Sequence, residues 1–545
     1  MKLILGLIKE SKWQYLIATI TAVLSGASAA LTIKHIHSAM KNDIPDVQIY
    51  ILTFVGLVLG AAGLGLLGNY LLTSLNEKNL QELRATLSKK IMEASYGAIY
   101  KNADRIVPVI TSDIATITKT ASKIPGLMMN ATIVLGCLAY MFSLSWKMSL
   151  ITVGIFGINF FLNLIVLPLT RKSDEGVISL RNKLFGYLRG LLLGLKELNL
   201  KKDLRESYSS MLIIPNLEEQ RRLKVKNNLI KNSFSRIEYI LIMSALCGIL
   251  VFSKNSDVFE GSTMIDFLAI SLFMMSPISQ ITTFGRVING TRIALKQIDT
   301  LGVELSTKQR PESEELIFDN WSEHDSILSF ENLLFEYDKE EDDDEMAFNL
   351  GPIDLTIMKG ETVFVIGGNG SGKTTFIKLI SGLYLPTSGA CVYKGNEIEA
   401  KNLENYQDQI STIFTDSHLF KFLFHIEENH LQTHGEEYLS ELEMADKVRI
   451  KNRSFSKVKF SYGQQKRLLL VTSLLENKEI YVFDEWAAHQ DPHFKNVFYS
   501  TILPKLKSAG KTIFVISHDD TYFRSGDRVI TFQEGRIVKN EMVDD

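Results

Sequence analysis

Gly367-Gly-Asn-Gly-Ser-Gly-Lys-Thr374 stands between the apolar run Thr362-Val-Phe-Val-Ile366 and the helical pattern Thr375-Phe-Ile-Lys-Leu-Ile380. The order reads as a strand, a glycine turn and a helix start. Such a turn can wrap backbone N–H groups around phosphates, and the helix N-terminus adds positive potential. The candidate contacts are Gly367, Gly368, Asn369, Gly370, Ser371, Gly372, Lys373, Thr374 and Thr375. Lys373 would reach the β- and γ-phosphates, and the Thr374 hydroxyl would ligate Mg²⁺.

Downstream, Ile480-Tyr-Val-Phe-Asp484-Glu485 reads as a buried strand ending in two carboxylates. Asp484 is placed to hold Mg²⁺ through water, and Glu485 to polarise an attacking water. A further apolar run, Thr512-Ile-Phe-Val-Ile516, leads into Ser517-His518-Asp519. Between them, Phe460-Ser-Tyr-Gly-Gln464 precedes Gln465-Lys-Arg-Leu-Leu-Leu470. A serine and a glycine at a helix start form a second anion cradle.

The first part of the chain is of another kind. At 545 residues more than one domain is expected, and the net charge of −3 makes no case for nucleic acid. Six apolar windows, roughly 14–34, 49–75, 124–144, 148–169, 237–253 and 264–285, are long enough and poor enough in charge to span a bilayer. The segments 76–123 and 170–236 carry most of the loop Lys and Arg, which puts them and both termini on the cytoplasmic side. They read as amphipathic helices that prolong the spans into the cytosol. The N-terminal apolar stretch is too short for a signal peptide. Cys137, Cys247 and Cys391 show no metal spacing or disulfide framework. The domains expected are a membrane domain at 1–305, a polar linker at 306–326 and a nucleotide-binding domain at 327–545. The acidic run Glu340-Glu-Asp-Asp-Asp-Glu345 reads as a solvated hairpin tip or a cation site.

Polar residues at membrane depth face an interior. Asn69, Asn130, Asn159, Asn163, Ser276 and Gln280 are therefore candidates either for a substrate cavity or for helix–helix hydrogen bonding. Gly56-Leu-Val-Leu-Gly60 reads as a close-packing surface.

Taken together, these motifs resemble the ATP-binding-cassette (ABC) ATPases. The resemblance implies ATP and Mg²⁺ as cofactors. Ser461, Gly463 and Gln464 match the signature motif, which meets the γ-phosphate held by a partner subunit; Phe460 and Tyr462 depart from it. His518 matches the histidine that contacts the γ-phosphate, and Asp491 the aspartate of a loop crossing to the partner site. Tyr337 fits the aromatic that stacks on adenine. The glutamine normally found after the strand at 410–414 is absent, and Thr415-Asp416-Ser-His-Leu-Phe420 stands there. Either Asp416 or Thr415 substitutes through water, or coupling runs through packing.

Six spans followed by one cassette resemble a half-size ABC exporter over essentially the whole chain. The expected fold is an α-helical six-span membrane domain followed by an α/β P-loop ABC ATPase domain. Phe483-Asp-Glu-Trp-Ala-Ala-His-Gln-Asp-Pro-His-Phe494 and Ile516-Ser-His-Asp-Asp-Thr-Tyr-Phe523 resemble the cyclic-peptide exporter branch, with His489 where that branch has Asp. The branch includes YojI-like microcin, PvdE-like peptide-siderophore and SyrD-like lipopeptide exporters. It implies a homodimer in the bacterial inner membrane that exports peptide-like or other amphipathic compounds. The implied surroundings are membrane lipid and an outer-membrane duct, with no nucleic acid. A second function class is a membrane-tethered ATPase that regulates a partner without moving substrate.

Overall fold

The computed structural model describes residues 12–41, 46–254, 261–306, 322, 326–337 and 348–543. The acidic run at 340–345 and most of the linker at 306–326 lie outside the described residues. The chain divides into two compact units, Met1–Glu93 with Ala98–Thr307, and Ala94–Gly97 with Lys308–Asp545.

The first unit is helical. Each of the six apolar windows lies inside a helix: Lys12–Lys41, Val47–Glu93, Ile124–Leu144, Trp146–Leu193, Ile214–Lys254 and Gly261–Ser306. Among the described residues, four stretches are long and apolar enough to cross a membrane: Lys12–Ile36, Val47–Glu93, Tyr96–Leu144 and Asp266–Leu301. Trp146–Leu162 is a shorter apolar stretch. Several helices run well past their apolar windows, as their charged continuations demand. Arg181 of one such continuation pairs with buried Asp113 of another at 2.8 Å.

Small residues let the first helices approach. A Cβ on Gly26 would lie 2.6 Å from the Met129 carbonyl oxygen, and one on Gly136 would lie 2.9 Å from the Ala30 Cβ. Ser25 and Ser28 donate to the carbonyls of Ala61 and Leu57, both at 2.8 Å. The Gly56–Gly60 surface is only half as expected. A Cβ on Gly60 would lie 3.5 Å from the Ser28 hydroxyl, whereas one on Gly56 would meet nothing within 4 Å. Asn130 donates to the Gln280 side chain at 3.1 Å, which joins two helices by a side-chain hydrogen bond. Asn69, with Ser25, Ala61, Gly65, Gly68 and Met129, borders a cavity of about 480 Å³. Asn159 is buried and Ser276 is exposed; the Asn163 side chain lies outside the described set.

The second unit is built on a six-stranded sheet. Its strands, with those of two smaller sheets, are β1 (Ser326–Glu336), β2 (Asn349–Met358), β3 (Thr362–Gly367), β4 (Ser388–Tyr393), β5 (Asn396–Glu397), β6 (Ile410–Ile413), β7 (Ile450–Lys451), β8 (Ser454–Phe455), β9 (Ile480–Asp484), β10 (Thr512–Ile516), β11 (Arg528–Gln533) and β12 (Arg536–Met542). The large sheet has the order β12-β11-β3-β10-β9-β6, parallel except for β11–β12, and β2-β1-β4-β5 form an antiparallel sheet. Every residue of β9 and β10 is buried. This is the mark of parallel strands covered on both faces. Alternation splits them between two cores. Phe364, Tyr481, Phe483, Ile513 and Val515 enter one, and Val363, Val365, Val482, Phe514 and Ile516 the other.

The register positions the site. Ile516 pairs with Asp484 on one side and with Val365 on the other. The carboxyl ends of β3, β9 and β10 are thus level, and whatever follows each strand meets the others there. Ligands of open α/β sheets bind at that edge.

Candidate functional site

The glycine turn leaves β3 at Gly367 and enters the helix Lys373–Ile380. Two glycines are required by the space available. A Cβ on Gly367, at φ +147°, would lie 2.3 Å from the Phe532 carbonyl oxygen; one on Gly372, at φ +105°, would lie 2.7 Å from Leu350. The backbone thereby curls so that Lys373 Nζ donates to the carbonyls of Gly367 and Gly368 at 2.7 and 2.8 Å. Burial lowers the Lys373 pKa, and the charges of Glu485 and Asp484 oppose that shift. The Ser371 hydroxyl is buried in the same turn and has no hydrogen-bond partner among the described residues. Thr375 is buried, whereas Thr374 is exposed at the mouth of the turn. A turn with an unsatisfied hydroxyl, a curled glycine backbone and a buried ammonium fits a polyanionic phosphate group.

Asp484 ends β9 and is 3% exposed. Burial raises its pKa, and hydrogen bonding with Thr415 acts in the opposite sense. Glu485 follows in the left-handed region at φ +49°. Its N–H donates to the Ile516 carbonyl at 3.2 Å, which pins the turn to β10. Non-glycine residues in that region carry strain, and such strain gathers at functional sites. His518 lies just beyond β10 with its Nε2 3.2 Å from Glu485 Oε1. Tyr337 follows β1, and its hydroxyl lies 3.0 Å from the Thr375 hydroxyl. The Tyr337 ring meets Phe335 and Tyr384 edge-on, at 5.0 and 5.7 Å.

The fold therefore brings Tyr337, the turn Gly367–Thr375, Asp484, Glu485 and His518 together. Ser461, Gly463, Gln464 and Asp491 form a second group. Ser461 caps the helix Tyr462–Glu476 and accepts from the Gln464 N–H, while the Gln464 side chain accepts from the Ser461 N–H, each at 3.4 Å. The Gly463 carbonyl accepts from Gln490 Nε2 at 3.1 Å. Asp491 caps the next helix through the Phe494 N–H at 3.1 Å and lies 3.9 Å from Arg467.

The sequence reading passed over Lys466. It is 1% exposed, and it donates to the carbonyls of Phe414 and Thr415, both at 2.7 Å. The signal was its place on an apolar stripe. Lys466, Leu470, Ser473 and Leu474 are all buried at helical spacing.

Comparison with known proteins adds family, relative and fold matches. Residues 350–488 match the ABC transporter family, and residues 14–199 match the ABC transporter transmembrane region. The chain is 32% identical to the ATP-binding protein SyrD of Pseudomonas syringae pv. syringae, over 97% of this chain and 94% of that protein. It is 23% identical to the ATP-dependent lipid A-core flippase of Francisella tularensis subsp. tularensis, over 86% of this chain and 78% of the relative. Its fold is similar to that of a bacterial Atm1-family ABC exporter with ATP bound. The TM-score is 0.78 at 14% identity, covering 97% of this chain and 96% of that one.

Proposed function

The chain belongs to the ABC transporter family, as an ATP-hydrolysing half-transporter of the exporter type with membrane and ATPase domains on one polypeptide, and we propose that it exports peptide-like amphipathic compounds across a bacterial inner membrane as a homodimer. In this reading the second unit and both termini face the cytoplasm.

One observation carries the chemistry. Glu485 and His518 stand 3.2 Å apart at the level carboxyl ends of β9 and β10, and the Glu485 charge acts on Lys373. Lys373 holds the phosphates as a buried point charge. Glu485, aimed by its left-handed backbone, orients a water and takes its proton. His518 fixes the Glu485 carboxylate and reads the terminal phosphate. Tyr337 offers a ring to adenine. Thr374 and Asp484 would hold Mg²⁺, which when bound neutralises charge on the phosphate oxygens. The second group, Ser461, Gly463, Gln464 and Asp491, serves the nucleotide held by a second copy.

The peptide class rests on the branch-like segments 483–494 and 516–523 and on the SyrD likeness along the whole chain. The flippase relative favours a second reading, an amphipathic lipid as cargo. Inside-out vesicles containing the purified protein separate the two. ATP-dependent uptake of a labelled cyclic lipopeptide, absent with Glu485→Gln, supports the first. Lipid translocation without peptide uptake supports the second. ATPase activity with neither flux overturns both and favours a regulatory ATPase.

A further inference from the structure

Two departures from the usual cassette pattern, Thr415-Asp416 and Tyr462, meet at one buried ammonium. Lys466 Nζ donates to the carbonyls of Phe414 and Thr415, both at 2.7 Å. The Tyr462 hydroxyl donates to the same Thr415 carbonyl at 2.7 Å. The Tyr462 ring centre is 5.5 Å from Lys466 Nζ, and the ring stands edge-on to His489 at 4.9 Å. On its other side, the Thr415 hydroxyl donates to the Asp484 carbonyl at 3.4 Å. Trp486, just past Asp484-Glu485, donates from Nε1 to the Lys466 carbonyl at 2.8 Å. The loop Phe414–Ser417 is thus fastened to the start of one helix and to the end of β9.

Filling space would not call for a lysine here. A buried ammonium is costly unless its protons are accepted, and an apolar side chain of similar volume avoids that cost. What the ammonium adds is direction. Two consecutive carbonyls can converge on one nitrogen only if the loop is turned towards the helix; burial lowers the Lys466 pKa, and the charges of Asp484 and Asp416 oppose that shift. Displacing the loop without the helix would leave a buried charge unpaired.

We propose that Lys466, assisted by Tyr462, is a positioning residue of the ATPase: it makes the loop Phe414–Ser417 and the helix start at Ser461 move as one body, and so sets Ser461 relative to the Asp484–Glu485 end of β9. The inference rests on the proposed role of Ser461 at the nucleotide of a second copy. Lys466 itself bonds to Phe414 and Thr415 and not to the glycine turn. Its loss therefore acts on turnover and leaves ATP capture by Lys373 in place.

The test is steady-state ATPase of the full-length protein in lipid nanodiscs, with Mg²⁺ and ATP as the only ligands. Lys466→Met is expected to lower kcat between about 10- and 100-fold, the scale of a small misplacement of reacting groups, with KM for ATP within about 2-fold. Tyr462→Phe is expected to lower kcat about 3-fold with the same KM, the scale of one hydrogen bond. The double variant should match Lys466→Met alone and not the product of the two, because both act through the Thr415 carbonyl. Lys466→Gln, which keeps N–H donors, should recover part of the loss. A raised KM at constant kcat, or multiplicative effects, would overturn the proposal. If Lys466→Met fails to fold, Tyr462→Phe decides: it removes one hydroxyl from a half-exposed ring, and an unchanged kcat sinks the idea. No transported compound enters this assay. Absence of flux in vesicles would count against the export reading and leave this result standing.

Discussion

The glycine turn and the helix start at Ser461, both proposed here to meet anions, are made in different ways. The turn Gly367–Thr374 is one unbroken segment. Its shape follows from its own glycines, from β3 before it and from the helix after it. The helix start is held by side chains from elsewhere. Lys466 and Tyr462 reach Phe414 and Thr415, and Gln490 reaches back to Gly463. A locally determined site keeps its geometry when the surroundings move. A site assembled from three segments changes when any of them shifts, which suits an element that must respond to a distant event.

The largest effect is expected where the two regions share a reaction. Glu485→Gln keeps the size of the side chain after β9 and removes the proposed base. ATPase turnover should fall about 10²–10⁴-fold while ATP binding persists. The protein should accumulate in an ATP-bound form on size-exclusion chromatography with radiolabelled nucleotide. Near-normal turnover would remove Glu485 from its role.

Lys373→Ala tests the local region by itself. It deletes a buried ammonium at the proposed phosphate site, and charge-assisted bonds of the type it would make there are worth about 1.5–3 kcal/mol. ATP affinity should drop about 10- to 100-fold in a direct binding titration. The comparison sharpens when this variant is mixed with Ser461→Arg. If Ser461 serves a second copy, a heterodimer has one interface with both defects and one with neither. Trapping of ATP at about one site per heterodimer, above either parent, is then expected. Trapping no better than the parents would mean each chain works alone.

The contrast between the regions also explains what could be read in the sequence. The strand, turn and helix around Lys373 were legible because the pattern is contiguous. Asp484-Glu485 stood out because a buried strand ending in two carboxylates, common by itself, here lies downstream of a phosphate loop. The contact between Glu485 and His518 was not legible from the residues alone. It depends on β9 and β10 being neighbours in the register Asp484↔Ile516, which is a property of the sheet. Lys466 went unread because a lysine near a helix start is ordinarily solvated, and its acceptors lie some 50 residues away as backbone carbonyls (52 and 51 positions for Phe414 and Thr415). The Gly56–Gly60 pair shows the opposite error. The spacing was right for close packing, but only Gly60 faces a neighbouring helix side chain at close range.

Tyr337 lies at the border of the local region and gives the smallest expected effect. Stacking on adenine needs the ring and not the hydroxyl, so the sequence alone suggests that Tyr337→Phe is mild. The structure changes that expectation, because the Tyr337 hydroxyl lies 3.0 Å from the buried Thr375 hydroxyl. Thr375 is part of the first turn of the helix that follows the glycine loop. Removing the phenolic oxygen leaves the Thr375 hydroxyl short of a partner, a net cost of about 0.5–1.5 kcal/mol. Tyr337→Phe should therefore raise the KM for ATP about 2- to 10-fold at unchanged kcat. Tyr337→Ala loses the ring as well, and with it contacts to Phe335 and Tyr384. It should raise KM further, by the roughly 1–3 kcal/mol that alanine substitution at a base-stacking aromatic costs. Measuring KM for ATP and for GTP in both variants separates the two contributions. A loss confined to Tyr337→Ala and differing between the two bases identifies stacking. Equal losses in Ala and Phe, blind to the base, would make the hydroxyl bridge to Thr375 the whole of the residue's contribution.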